Sequence, residues 1–227
     1  MFSHSRPQQP DISELNRELT AKLTKKFEAD KARLSNIKSS HPAIRESLKL
    51  FSEFNMQQFE ARLRKDLKDR LIPAWLENQK EDAVGSYQCI YFEYSDQETP
   101  PYEAFSYGLY NIRNYKLTTE RHYFEYADHR GWAAGSGILL EPFMICKPFD
   151  IQVLSEEEFE NVHNDRNSGI QEIWNAADSM TKVVLNKVFS EADAAGLFSK
   201  LKLARGGMFM YAVHDDGNVQ DPFYFKK

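Results

Sequence analysis

The densest group of side chains able to do chemistry lies between Arg121 and Arg130. It contains two imidazoles and two carboxylates, from His122, Glu125, Asp128 and His129. Such groups bind zinc, iron or manganese and act as general acids and bases. The spacing is unfavourable for one site, because strand residues three apart point to opposite faces. A small metal-dependent hydrolase using these four residues is one hypothesis, and solvent-facing loop residues are the simpler alternative.

Other catalytic and ligand-binding motifs do not occur in the sequence. HExxH, CxxC, GxSxG, GxxxxGK[ST] and GxGxxG are all missing. Asp215-Asp216-Gly217-Asn218 resembles part of a calcium loop but lacks the remaining ligand positions, so we interpret it as a hairpin turn. The sequence therefore predicts no cofactor.

The cysteines and the apolar segments bear on cellular location. Cys89 and Cys146 lie inside apolar stretches, which favours buried free thiols. No stretch approaches the length of a membrane span, and the first residues lack the apolar run of a secretory signal. We expect a cytoplasmic protein that does not enter a membrane.

The first part of the chain has a helical pattern. Residues 1–11 predict a disordered tail. Apolar residues then recur every three or four positions from Ile12, including a seam of Leu15, Leu19 and Leu23. A second helix is predicted after His41-Pro42, and a third from Met56 to about Trp75, bent or ended by Pro73. Residues 12–80 thus predict a helical hairpin or small bundle.

The pattern changes after Asp82 to clusters of tyrosine, phenylalanine and isoleucine. Tyr87 to Tyr94 and Tyr102 to Tyr110 predict an antiparallel hairpin. In the glycine-punctuated segment 131–137, Gly135-Ser136-Gly137 predicts a flexible turn. Ile138 to Phe149 predicts an edge strand or a broken one, because it contains two prolines.

The last third combines helices with two final strands. Ser155 and Glu158 form a capping-box pattern before a short acidic helix. A long helix follows from Ile170, with a second capping pattern at Ser190 and Asp193. Met208 to Val213 and Phe223 to Phe225 predict paired strands. Together with the N-terminal helices this predicts an α+β fold: a helical hairpin or bundle packed on an antiparallel sheet, with residues 81–227 as an α+β domain that is separate from, or continuous with, residues 12–80.

Charge is divided unevenly along the chain. Residues 1–80 contain 16 Lys and Arg against 11 Asp and Glu, whereas residues 81–227 contain 13 against 23. Acidic residues are interleaved with the N-terminal lysines, which argues against nucleic-acid binding, and the lysines could instead dock on the acidic second half. Tyrosines beside carboxylates favour a surface that binds a basic protein.

The arrangement of residues 81–227 resembles that of small intracellular α+β immunity proteins of bacterial polymorphic-toxin systems. The resemblance rests on aromatic paired strands, an acidic helix, a long amphipathic helix and a final strand that runs into His214-Asp215-Asp216-Gly217. It implies a protein that neutralises a toxin by binding and covering it. No site residue can be transferred from that family to this chain.

We therefore predict a non-enzymatic protein-binding module, an inhibitor or immunity protein that binds a basic partner. Its predicted contact residues are exposed tyrosines and carboxylates: Tyr94, Asp96, Glu98, Tyr102, Glu103, Glu125, Asp128, Glu156, Glu157 and Glu158. The metal-dependent hydrolase stays one alternative. A further one is an adaptor that forms homo-oligomers through the Leu15, Leu19 and Leu23 seam of its N-terminal helices.

Overall fold

A computed structural model describes residues 11–39, 41–96, 98–113, 115–124, 130–165, 168–213 and 219–227. The helices are α1 (Ile12–Leu34), α2 (Pro42–Glu53), α3 (Met56–Asp66), α4 (Ile72–Glu81), α5 (Glu156–Asn164) and α6 (Ile170–Ala194). The strands are β1 (Tyr87–Tyr94), β2 (Tyr102–Leu109), β3 (His122–Tyr123), β4 (Arg130–Leu140), β5 (Leu203–Val213) and β6 (Val219–Phe225). In this part of the chain no helix is both long and apolar enough to cross a membrane.

The predicted α+β fold is confirmed, but the sheet is mixed rather than antiparallel. Its strand order is β3-β6-β5-β1-β2-β4. β1 and β5 are parallel neighbours, whereas β1/β2, β2/β4, β5/β6 and β3/β6 are antiparallel. The parallel pair arises because α6 precedes β5 and returns the chain to the side of the sheet where β1 begins, which is the usual geometry of a helical crossover.

Helix α6 lies at the centre of the molecule. One side packs on the sheet, where the Phe189 ring lies 4.8 Å from Phe209 and 6.0 Å from Phe92. Its other sides contact α1 and α3, so the four consecutive residues Ser179 to Lys182 are all buried. One continuous apolar core therefore joins the N-terminal helices to the α+β region.

Several predicted element boundaries are wrong, each for a local reason. Of the two alternatives at Pro73, an end of the helix is wrong: a π-helical turn at Leu67–Leu71 precedes the proline, and α4 continues to Glu81 rather than to about Trp75. The expected turn at Gly135-Ser136-Gly137 belongs to β4. The expected edge strand is correct only for Ile138–Leu140, which end the edge strand β4, whereas Glu141–Phe149 form a 3₁₀ helix. Ser190 caps nothing, since α6 runs through it.

The predictions for the N-terminal tail, the turn near the C-terminus and the two cysteines have different outcomes. The tail at residues 1–10 and the turn at 215–218 lie outside the described residues. Asp11 is described, and its side chain accepts a hydrogen bond from the Ser13 N–H as the N-cap of α1. Cys89 and Cys146 are free and buried, as predicted.

The leucine seam of α1 is buried within the chain. Leu15, Leu19 and Leu23 are at most 9% exposed, because α1 packs on α6 and β6. The expectation that this seam joins two copies is therefore wrong for the folded chain: its apolar surface is already covered.

Basic residues of the N-terminal helices do pair with the acidic second half. Described ion pairs join Lys22 to Glu120, Arg62 to Glu141, Arg64 to Glu191 and Arg70 to Glu103. The uneven division of charge along the sequence is thus partly compensated inside the molecule.

Two buried asparagines form hydrogen bonds with backbone groups on the outer edge of β6. The Asn16 amide donates to the Phe225 carbonyl at 2.7 Å, and its oxygen accepts from the Phe225 N–H at 3.0 Å. The Asn186 amide donates to the Phe223 carbonyl at 2.7 Å. Helices α1 and α6 thereby occupy hydrogen-bonding positions that a further strand would otherwise take.

We expect Asn16→Ala to destabilise the protein by about 2 to 3 kcal/mol, because it leaves a buried backbone N–H and C=O without partners. Urea unfolding measures this change. Asn161→Ala, on the exposed surface of α5, is the control and should change stability by less than about 0.5 kcal/mol. Equal effects of the two substitutions would show that Asn16 does not hold β6.

Candidate functional site

The histidine and carboxylate cluster is only partly described. His122 lies in β3 and is buried, whereas Glu125, Asp128 and His129 lie outside the described residues. The His122 Nε2 atom has no hydrogen-bond partner in the described part of the protein, and no three potential metal ligands come together there. Burial lowers the pKa of His122, so its imidazole is held in the neutral form.

The two tyrosines predicted to contact a partner are buried, so that prediction is wrong. Tyr94 and Tyr102 are each 2% exposed. Their rings stack 5.2 Å apart, and Tyr94 also stacks on Tyr211 at 5.4 Å and packs on Phe143. Side chains alternate along a strand, and these positions fall on the face that α6 covers. Tyrosine clusters alone do not distinguish this face from an exposed one.

The predicted carboxylates occupy two different regions. Asp96 and Glu98 are exposed in the connection between β1 and β2. Glu103 is partly exposed, and its Oε1 accepts the Gly137 N–H at 3.0 Å, which gives it a role inside the sheet. Glu125 and Asp128 lie outside the described residues. The remaining predicted carboxylates, Glu156, Glu157 and Glu158, share the exposed first turn of α5.

Helix α5 begins as the capping box predicted. Ser155 Oγ accepts the Glu158 N–H, and Glu158 in turn accepts the Ser155 N–H at 3.1 Å. Glu158 is thereby committed to the helix terminus. Glu156, Glu157 and Glu160 remain exposed, and none of them forms an ion pair with the described part of the chain. The spacing of three and four residues places them on one surface of the helix.

Two large apolar side chains stand in solvent beside these carboxylates. Ile151 is 61% exposed and Val153 is 51% exposed. We call Ile151, Val153, Glu156, Glu157 and Glu160 the α5 ridge. Sequence reasoning missed its apolar members, although Ile151 and Val153 come just before the capping box in a stretch that contains no core periodicity.

The turn that carries Ile151 and Val153 is closed by one residue. The Asp150 carbonyl accepts the N–H groups of Val153 at 2.9 Å and Leu154 at 3.1 Å. Its side chain accepts the Gln152 N–H at 2.8 Å. The two apolar side chains are therefore held outward by a hydrogen-bonded scaffold, which lowers the entropy lost when a partner covers them.

The following helix is also anchored to the core. Val162 is buried, and the His163 ring stacks on Phe159 at 3.8 Å and approaches Phe149 at 6.2 Å. These contacts fix the direction in which the exposed carboxylates of α5 point.

A second feature is a polar cluster that lines two clefts, one of them also lined by Tyr94 and Trp174 and the other by Leu19 and Leu23. Lys182 Nζ donates to Asp178 at 3.0 Å and to Asp221 at 2.5 Å, and Asp221 also accepts from Arg121 Nε at 2.9 Å. Asp178 accepts the Tyr211 hydroxyl at 2.8 Å. We call Arg121, Asp178, Lys182 and Asp221 the Lys182 cluster. The only sequence signal for it was the spacing of four between Asp178 and Lys182.

The electrostatics of the Lys182 cluster favour full ionisation. Burial opposes the charge of Lys182, but the two carboxylates outweigh it and raise its pKa. Burial likewise opposes the charge of Asp221, yet Lys182 and Arg121 lower its pKa to about 2. Neither group is therefore a general base or a nucleophile near neutral pH, because the lysine keeps its proton and the carboxylate does not accept one.

Comparison with known proteins places the chain in no family. No protein-family model, no curated protein and no solved structure matches it.

We expect Asp221→Asn to cost about 3 kcal/mol at neutral pH, because it leaves the buried Lys182 with one carboxylate. The contribution of Asp221 is fully present above its unfolded pKa of 3.8 and is lost as the pH falls through about 2. Urea unfolding should therefore give a smaller difference between wild type and variant at about pH 3 than at about pH 5.

Asp66→Asn provides the matched control, since its partly exposed carboxylate pairs with Arg70 at 3.4 Å near the surface. It should shift the urea midpoint little. A difference for Asp221→Asn that does not change with pH would contradict the assigned ionisation.

His122 gives a second pH dependence. Its pKa is below 6.5 in the folded protein, so its contribution to stability is fully present above that pH and declines as the pH falls below it. We expect the free energy of unfolding to fall more steeply for wild type than for His122→Gln between about pH 7 and pH 5. Parallel curves would show that His122 is not held neutral by burial.

Proposed function

We propose that this protein acts by stoichiometric binding of a basic protein partner, as an inhibitor or immunity-type protein, and that the α5 ridge is its contact surface. The observation that carries the proposal is the pair of exposed apolar side chains, Ile151 at 61% and Val153 at 51% exposure, in the turn that leads into the helix with three exposed carboxylates.

The apolar pair supplies the centre of such an interface. Covering an exposed isoleucine or valine contributes about 1 to 2 kcal/mol each when half of the side chain is already buried. The turn at Asp150 holds both side chains in place before binding. Apolar centres with polar rims are typical of protein interfaces.

The carboxylates indicate the charge of the partner. Many acidic residues of the second half pair internally, as Glu120, Glu141 and Glu191 do with α1 and α3. Glu156, Glu157 and Glu160 do not take part in such described pairs. Their negative potential would steer a basic surface to the ridge and repel an acidic one.

The test is affinity capture from the native cell extract, followed by light scattering of the purified complex. A basic partner should bind in a 1:1 complex. Ile151→Ser with Val153→Ser should weaken binding at least about tenfold, and replacing Glu156, Glu157 and Glu160 by lysine should abolish it. Raising the salt to about 0.5 M should slow association of the wild type.

The matched control replaces Glu18, Glu77 and Glu81 by lysine, which changes the net charge equally at exposed positions on α1 and α4. It should bind like wild type. A partner that both ridge variants still bind with wild-type affinity would overturn the assignment of the surface, and the absence of any stoichiometric partner would overturn the function.

A further inference from the structure

Strand β4 forms one edge of the sheet, since among the described strands it pairs only with β2. Residues 131–140 of this strand include no charged residue and no proline. Shifts in register interrupt its pairing with β2 and leave Gly137–Leu140 as a regular stretch. The free backbone groups of such an edge can pair with another chain, and charges, prolines or a covering element normally prevent this.

The other side of the described sheet is short or covered. Strand β3 has only two residues, His122 and Tyr123, and a very short edge strand offers little backbone for pairing. Beside it, Asn16 and Asn186 bind the outer edge of β6. The regular stretch at the end of β4 is therefore the described part of the sheet where protection against pairing matters most.

Two side chains occupy the backbone of Gly137, at the start of this stretch. Glu103 Oε1 accepts the Gly137 N–H at 3.0 Å, and Arg70 Nη2 donates to the Gly137 carbonyl at 3.0 Å. Arg70 Nη1 lies 3.8 Å from Glu103 Oε1, and Asp66 accepts from Arg70 at 3.4 Å. We call Arg70 and Glu103 the edge clamp.

The local backbone on both sides holds the edge clamp in place. Arg70 lies in the π-helical turn Leu67–Leu71, whose first and last leucines are at most 1% exposed, so the core fixes its backbone. Only glycine fits at position 137, because a Cβ there would lie 2.4 Å from the Ala104 carbonyl oxygen. This close approach brings the Gly137 N–H to Glu103.

Apolar side chains beside the edge clamp remain partly uncovered. Leu139 lies opposite Glu103 in the register, and Phe105 is two residues further along β2, so the three share one face. Phe105 is 38% exposed and Leu139 is 40% exposed. A second copy that paired antiparallel with Gly137–Leu140 would meet the same stretch across a two-fold axis, which closes the assembly at a dimer.

We propose that the edge clamp prevents the protein from pairing with a second copy of itself along β4, and that opening the clamp produces a two-fold dimer. Arg70 does this in two ways. Its guanidinium occupies the Gly137 carbonyl, and in a symmetric pair the guanidinium groups of the two copies would meet near the axis, where like charges repel. This inference does not depend on the α5 ridge or on a protein partner.

The test is light scattering of the full chain after size-exclusion chromatography, over a range of protein concentrations. Wild type should stay monomeric, whereas Arg70→Ala should reach twice that mass as its concentration rises to about 200 µM. Hydrogen exchange of the amides at 137–140 should become slower in the Arg70→Ala dimer, because pairing covers the edge.

Matched variants separate edge pairing from a general effect of lost charge. Arg17→Ala removes an equal charge from an exposed pair with Glu14 on α1, and it should stay monomeric. Adding Leu139→Lys to Arg70→Ala should restore the monomer, because it places a charge on the edge. Adding Ile151→Lys instead, at an exposed apolar position in the turn before α5, should leave the dimer intact.

Arg70→Met is a second opening variant, since it keeps an aliphatic stem and removes every donor; it should dimerise as Arg70→Ala does. Urea midpoints identify which variants are folded. A folded Arg70→Ala or Arg70→Met that stays monomeric would overturn the proposal. Irregular aggregates, a wild-type dimer with slow exchange at 137–140, or a dimer that Leu139→Lys does not dissociate would also overturn it.

Discussion

A helix that is buried over most of its surface, α6, constrains the whole molecule. Helix α6 has the sheet on one side and α1, α3 and the 3₁₀ helix on the others, so its buried polar residues need partners within the protein. Ser179 and Thr181 donate to backbone carbonyls one turn earlier, and Asn186 donates to β6. Lys182 requires Asp221, which fixes the position of β6 against the helix. The sheet, the helical layer and both clefts are arranged around these requirements.

The same constraint explains where prediction from the sequence succeeded and where it failed. Strands Tyr87–Tyr94 and Tyr102–Leu109 and the capping box at Ser155 are local patterns, and they were found almost to the residue. The central position of α6 was not predicted, because Ser179, Thr181 and Lys182 are typical of a solvent-facing side of a helix. Only the tertiary partners of these residues, which are distant in sequence, convert that side into a buried one.

The candidate surfaces show a similar limit. Sequence reasoning identified the carboxylates of α5, since exposed glutamates at a helix start follow from local preference. It placed Tyr94 and Tyr102 on the surface, although strand alternation and α6 bury both. It also missed Ile151, because the exposure of an apolar residue in a turn depends on which neighbouring elements leave it uncovered. The π-helical turn before Pro73 was not predicted either, since it depends on how the helix accommodates the proline ring.

The turn closed by Asp150 has a consequence for how such a protein can change over evolutionary time. Its hydrogen bonds come from the backbone and from Asp150 itself, and Ile151 and Val153 contribute nothing to the core. Replacing either side chain should therefore change the surface of this turn at almost no cost to folding. These two positions are therefore free to vary while the buried helix and its charged partners stay unchanged.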